Sequence, residues 1–386
     1  MQFPGLTPAE LVAAGAHWTA REIAQQPQVW RKLPALADGR DGSVAHFLAP
    51  LLQRPGLRIV LTGAGSSAFV GECLAPAMTR QMQRPVAAVS TTDLVAGPAN
   101  WLIGAAPTLL VSFARSGNSP ESVAALQIAQ STLKECHHLV ITCNAQGALR
   151  EIAGRMDNAH VLLLPDESND NGFAMTSSFS SMLLAAALAF GVLDSGRALA
   201  VAGAVEHVLA HALPSIRDLV QAGYGRVLYL GANEAKGLAR EAALKLLELT
   251  DGRVVSIADT PLGFRHGPKT VVNKNALVVV FVSADPYSRR YDLDLLGELR
   301  KDGVAGRVLA LDAGAHPEAV HPDTIRVPAL PGEGSLACCF PYLVFAQCLA
   351  LMQSLALGIQ PDNPNPSGMV NRVVKGVSIY PLGQAG

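Results

Sequence analysis

Short apolar, β-branched runs recur along the chain, each closing on Gly, Ser, Asn or Asp and each followed by a stretch in which apolar residues recur with helical spacing. That alternation predicts parallel strands joined by crossover helices. The runs form two matching sets. Arg58-Ile-Val-Leu-Thr-Gly63 is echoed 168 positions later by Arg226-Val-Leu-Tyr-Leu-Gly231, and Thr108-Leu-Leu-Val-Ser-Phe113 by Ala276-Leu-Val-Val-Val-Phe281 at the same offset. Leu139-Val-Ile-Thr142 corresponds to Val308-Leu-Ala-Leu311 at an offset of 169, and edge-like runs follow at Val161 to Pro165 and Ile325 to Pro328. The runs are continuously apolar rather than alternating, as expected of strands buried on both faces. The expected fold is α/β, with two tandem doubly wound parallel-sheet domains and flanking helices.

The expected boundaries are an N-terminal helical segment over 1–44, a first sheet domain over 45–195, a helical linker over 196–223 and a second sheet domain over 224–345. A C-terminal helix and tail occupy 346–386. Thr7 followed by Pro8 reads as a helix cap, and Trp18 to Gln25 has helical patterning. The linker reads as helical from Ala198 to Ala222 with a break at Pro214. Near the end, an apolar helix from Cys338 to Gly358 precedes a Pro- and Asn-rich loop and the basic stretch Asn371 to Lys375, which can fold back over a site.

Composition narrows the function classes. Of 386 residues, 49 % are apolar and 16 % charged, which excludes a disordered chain. The net charge of −1 provides no global field for nucleic acid or an anionic membrane surface, so an anionic ligand has to be held locally. The longest apolar stretches, around Met182 to Leu193 and Leu349 to Leu357, read as too short to cross a bilayer, and the first ten residues lack a signal-peptide pattern. A cytoplasmic protein without nucleic-acid or membrane partners is expected. The six cysteines form no CxxC pair and read as small core residues. Only His207 and His211 have helical ligand spacing, without the Glu of an HExxH motif, so no metal is expected.

In open α/β sheets ligands bind beyond the carboxyl ends of the strands, which directs attention to the turns there. After the first run, Gly63-Ala64-Gly65-Ser66-Ser67 opens a helix, where exposed backbone N–H groups can bind an anion. After the next core run comes Ala114-Arg115-Ser116-Gly117-Asn118-Ser119-Pro120, with Ser119 as N-cap and Pro120 as first helical residue. A third hydroxyl-rich patch, Met175-Thr176-Ser177-Ser178, opens a later apolar helix. Gly63-x-Gly65-x-x-Ala68 also fits a dinucleotide turn, with Asp93 after a short run at Pro85 to Val89. Two Ser-rich turns suit a terminal phosphate monoester better, and no cofactor is expected.

The second domain's equivalent turn, Gly231-Ala232-Asn233-Glu234, is degenerate, but its helix carries Glu241, Lys245 and Glu248 on one face. The rest of that helix is strongly apolar. The stripe therefore reads either as a surface ion pair or as buried charges that are paired or functional. Downstream, Phe264-Arg265-His266-Gly267-Pro268-Lys269 places a histidine between two cations on a glycine-punctuated loop.

Together the two Ser-rich turns, the ALKLLE helix and the RHGPK loop resemble the sugar isomerase (SIS) family, whose members bind phosphosugars on tandem domains of this kind. The motifs TTDLV, ITCN, GFAMTSS and YDLDLL extend the resemblance to the amino-sugar-phosphate deaminase/isomerase branch over nearly the whole chain. The isomerase domain of glucosamine-6-phosphate synthase is a more distant match. By resemblance, Ser66, Ser67, Ser116, Gly117, Asn118, Ser119 and Lys375 bind the phosphorylated sugar, and Gly65, Arg115, Thr176 and Ser177, in the same hydroxyl-rich turns, are read as further contacts. Glu248 is the catalytic acid–base, His266 opens the sugar ring, and Lys245 and Glu241 orient Glu248. Where the synthase has Ser and Gln, this chain has Ala114 and Arg115, exchanging a hydroxyl for a guanidinium.

The resemblance implies a deaminating aldose–ketose isomerase that converts galactosamine 6-phosphate to tagatose 6-phosphate and ammonia. It also implies a homodimer or larger homo-oligomer in which His266 serves a neighbouring subunit's site. The alternatives are isomerisation without deamination and a sugar-phosphate-sensing module.

Overall fold

The computed structural model describes residues 3–37, 43–314, 321–330, 335–374 and 376–382. Among the described residues, ten strands form two five-stranded, wholly parallel sheets. The first contains β1 (Arg58–Thr62), β2 (Val86–Ala88), β3 (Thr108–Ala114), β4 (Cys136–Thr142) and β5 (Ala159–Leu163) in the order β2-β1-β3-β4-β5. The second contains β6 (Arg226–Gly231), β7 (Val255–Asp259), β8 (Ala276–Val282), β9 (Arg307–Asp312) and β10 (Thr324–Arg326) in the order β10-β9-β8-β6-β7. Counted within each half, both orders are 2-1-3-4-5, the doubly wound arrangement that the duplication predicts.

The register corrects one offset. Ile59 pairs with Leu109 and Val227 with Leu277, which preserves the offset of 168 across β1, β3, β6 and β8. Leu109 pairs with His137 and Leu277 with Arg307, so β4 and β9 correspond at an offset of 170 rather than 169. Leu139 is thus equivalent to Leu309 and not to Val308. A one-residue slip is invisible in two strands that are apolar on both faces, because either register buries the same residue types.

Seven helices matter for the site: α1 (His17–Trp30), α2 (Ser66–Met82), α3 (Pro120–Thr132), α4 (Ser177–Ala189), α5 (Glu234–Leu249), α6 (Pro286–Asp302) and α7 (Ser335–Ala356). The chain forms two compact units, each discontinuous in sequence. The unit holding the first sheet comprises Val29–Asn169, Ser177–Ser195 and Ser367–Gly386. Val60, Leu110, Leu94 and Ala125 build a core on one face of its sheet, and Val140, Leu126 and Leu149 build another.

The unit holding the second sheet comprises Met1–Gln28, Asp170–Thr176 and Gly196–Pro366. Leu228, Leu230, Val278, Val280, Leu295 and Leu299 pack together there, and α5 packs on β6, β7 and α7. Helix α7 starts at Ser335, so the expected boundary at 345 falls inside it. From Leu336 to Ala356 it is apolar and long enough to cross a membrane, contrary to the reading of the sequence, yet 94 % of its most apolar window is buried within the fold. It is a core helix. The six cysteines are all buried, and none of them forms a disulfide among the described residues.

Candidate active site

The turn after β1 is shaped by two glycines with different tasks. A Cβ on Gly63 would lie 2.5 Å from the carbonyl carbon of Ser67, so only glycine lets the strand end meet the helix this closely. Gly65, at φ +55°, is the N-cap of α2 without supplying a side-chain cap. Ser66 and Ser67, both buried, open this 17-residue helix on a tight first turn in which the N–H groups of Ser67 and Ala68 donate to the carbonyls of Ala64 and Gly65 at 3.1 and 2.9 Å.

The turn after β3 is braced from below. Ser119 caps α3, accepting from the N–H of Ser122 at 3.3 Å and donating its hydroxyl to Ser122 Oγ at 2.6 Å. Asn118 Oδ1 accepts the N–H of Ala148 at 2.9 Å, and Asn144 donates to the carbonyl of Ser116 at 2.7 Å. Gly117, at φ +66°, lies against Gly147. Arg115 is buried and donates from Nη2 to the carbonyl of Arg372 at 2.7 Å, tying this turn to the tail.

Ser177 is fully buried at the start of α4, whereas Thr176 gives both its N–H and its hydroxyl to Asp170, at 2.8 and 3.0 Å. That hydroxyl is engaged with a carboxylate rather than open to a ligand. Lys375 lies outside the described residues. Three further hydroxyls lie near these turns. Thr62 and Ser112 sit side by side at the carboxyl ends of β1 and β3, and Thr91 donates its N–H to the Gly63 carbonyl. All three hydroxyls are buried without a hydrogen-bond partner among the described residues, as groups lining a ligand crevice would be.

In the other unit, Lys245 on α5 is 1 % exposed and bridges two carboxylates of unequal burial. Its Nζ lies 3.6 Å from Glu241, which is fully buried, and 2.5 Å from Glu248, which is 25 % exposed. The stripe is therefore a buried ionic relay with one accessible end, not a surface pair. The RHGPK loop has a different construction. Arg265 pairs with Asp294 and Glu298 of α6 at 3.0 and 2.9 Å, and Lys269 pairs with Glu298 and Asp302. The two cations thus anchor the loop, and His266 projects from it, exposed.

The second sheet's carboxyl ends repeat the first turn with a different charge. Asn233 reproduces the backbone of Gly65, at φ +51° and ψ −118° against +55° and −127°, and Gly231 meets Ala235 as Gly63 meets Ser67. The degenerate turn has kept its geometry and changed its charge. Glu234, fully buried, stands where Ser66 stands in the first half and puts a carboxylate at the helix N-terminus. Nearby donors are consumed internally: Asp292 accepts from the N–H of Ser283, Asp312 from Gly314 and both nitrogens of Arg289, and Tyr342 from Ala313.

Burial pushes Asp292 up to about 6, from an ordinary 3.8. Its neutral form is favoured by folding, so its stabilisation is present below pH 4 and is lost as pH rises through about 6. The stability of the wild type relative to Asp292→Asn is thus expected to fall by roughly 3 kcal/mol at most between pH 4 and 7, then level off. Urea unfolding at a series of pH values measures this; a difference independent of pH contradicts it.

The family model for the SIS domain matches residues 51–191. D-galactosamine-6-phosphate deaminase AgaS of Escherichia coli is 45 % identical over 382 residues, covering 97 % of this chain and 98 % of that protein. The chain belongs to the AgaS family of SIS-domain proteins. The family member of the same name from Shewanella sp. is 43 % identical, with 98 % and 95 % of the two chains covered. Among solved structures, tagatose-6-phosphate ketose/aldose isomerase from Escherichia coli superimposes with a TM-score of 0.87 at 43 % identity, covering 96 % of this SIS-domain chain and 98 % of that one. The C-terminal domain of glucosamine-fructose-6-phosphate aminotransferase from Francisella tularensis shares the fold at a TM-score of 0.71 and 17 % identity, covering 89 % and 98 %.

Proposed function

We propose that this chain is a deaminating aldose–ketose isomerase that converts galactosamine 6-phosphate and water to tagatose 6-phosphate and ammonia. The observation that carries the reading is Glu248, an accessible carboxylate held at 2.5 Å by a buried lysine, in a chain whose full-length relatives are named deaminases. The phosphate is assigned to the turns after β1 and β3, where the hydroxyls of Ser66, Ser67 and Ser116 suit its acceptor oxygens and Ser119, capping α3, fixes the second turn. Arg115 supplies a guanidinium beside these turns.

The chemistry needs two proton movements. His266, exposed on its braced loop, takes the ring-opening step, moving a proton between the ring oxygen and the anomeric hydroxyl. Glu248 then removes the C2 proton of the open amino aldose and returns one to C1, giving the C2 ketimine, which water hydrolyses to ketone and ammonia. Lys245 holds Glu248 in place, and Glu241 balances the charge of Lys245. We also read residues 224–345 as the second SIS domain, the protein as cytoplasmic and at least dimeric, and Lys375 as a sugar contact on the tail.

A relative named a ketose/aldose isomerase favours one second reading, the same proton transfer without loss of ammonia. Coupled ammonia detection separates the two. Galactosamine 6-phosphate is expected to release one equivalent of ammonia per tagatose 6-phosphate, in preference to glucosamine 6-phosphate. Tagatose 6-phosphate interconversion without ammonia release from either amino sugar overturns the deaminase reading.

A further inference from the structure

The N-terminal helix α1 grips the loop that leads into Ser177. Glu22, 2 % exposed, accepts from two successive backbone N–H groups, Asn171 at 2.5 Å and Gly172 at 3.1 Å. One helical turn along the same face, Gln26 is fully buried and donates to Gln347 at 2.7 Å, and Gln347 in turn donates to the carbonyl of Thr176 at 3.5 Å. The loop closes on itself through Asp170, which holds both donors of Thr176. Gly172 is pressed so close to α1 that a Cβ there would meet Thr19 Oγ1 at 2.9 Å and Glu22 Oε2 at 3.0 Å. The start of α1 is fixed in its turn by Asp362, which accepts from the N–H groups of Trp18 and Thr19 at 2.9 and 2.8 Å and from the Thr19 hydroxyl at 2.7 Å.

This is an expensive way to fill space. Burial, and then the charge of Asp170, push Glu22 up to about 8. An apolar side chain would pack without that cost, but it could not satisfy two adjacent backbone donors of an irregular loop. The arrangement suits a loop whose path matters, and the chain passes from Thr176 directly into Ser177, the first residue of α4.

We propose that Glu22 is a positioning residue of the active site: with Gln26 it makes the N-terminal helix a clamp that sets residues 171–176 and thereby Ser177. The proposal rests on the function proposed above and assigns the N-terminal segment a part in substrate binding.

The test compares Glu22→Ala, Glu22→Gln and Gln26→Ala for KM and kcat in ammonia release from galactosamine 6-phosphate, with amide hydrogen exchange across residues 170–177. Glu22→Ala is expected to raise KM about tenfold, as expected for buried donors left without an acceptor and a displaced contact, with a smaller fall in kcat. Glu22→Gln, which keeps an accepting oxygen, recovers most of the loss, and exchange at Asn171 and Gly172 accelerates only in the alanine variant. A purely structural role would lower the active fraction and leave KM alone, so a folded Glu22→Ala protein with wild-type KM overturns the proposal. If Glu22→Ala does not fold, Gln26→Ala decides: a KM raised about threefold supports the clamp and an unchanged KM refutes it. A wild-type protein that releases no ammonia refutes the function instead. In that case the exchange data still test the clamp, and unaccelerated exchange in Glu22→Ala overturns it.

Discussion

Glu248→Gln is expected to lower kcat for ammonia release by at least ~10²-fold while leaving sugar-phosphate affinity within about threefold of the wild type. The amide has the size of the carboxylate and still accepts a hydrogen bond from Lys245, so the helix and its buried charges stay in place. What it cannot do is take a proton from C2. Steady-state kinetics together with calorimetric binding of tagatose 6-phosphate measures both halves of the expectation. Near-normal turnover removes Glu248 from the chemistry, whereas lost binding makes it a substrate contact rather than the acid–base.

Lys245→Met should produce the largest loss of stability among single substitutions on α5. Lys245 is 1 % exposed, and its removal leaves the fully buried Glu241 without the cation 3.6 Å away. Breaking a buried ion pair from one side costs roughly 3–5 kcal/mol, because the remaining charge keeps its desolvation penalty and loses its compensation. Replacing both members by neutral residues of similar size costs much less. The double variant Lys245→Met with Glu241→Gln is thus expected to regain a large part of the loss, while its activity stays low because Glu248 has lost its 2.5 Å partner. Urea unfolding of the two variants beside the wild type measures this. Equal midpoints for the single variant and the wild type would show that the pair carries no structural weight.

Much of this organisation is legible in the chain itself, for identifiable reasons. Strands buried on both faces announce themselves as continuous apolar runs, so β1, β3, β6 and β8 could be matched at an offset of 168 from sequence. Ser119 and Pro120 announce a helix start by local chemistry, and α3 begins there. Local chemistry is also where legibility ends. Arg265 and Lys269 look like cations beside a catalytic histidine, and only the fold brings Glu298 of α6 to both. Glu22 reads as an ordinary helix charge, because its partners Asn171 and Gly172 lie some 150 residues away. Thr62 and Ser112 hide inside apolar runs, and their position at the crevice depends on strand pairing that no local pattern encodes. Glu234 shows the converse: a turn that looks like a decayed motif preserves the backbone of its counterpart and places a carboxylate at the helix start.

The central claim is that one carboxylate, Glu248, carries a proton from C2 to C1. Turnover of galactosamine 6-phosphate in D2O, followed by NMR of the product, tests it most directly. The account predicts that C1 of tagatose 6-phosphate gains either the substrate's C2 hydrogen or, to the extent that the Glu248 carboxyl exchanges with solvent, deuterium, and that product with either label is lost together with turnover in Glu248→Gln. Tagatose 6-phosphate formed by Glu248→Gln at the wild-type rate, with the same hydrogen label at C1, would contradict it.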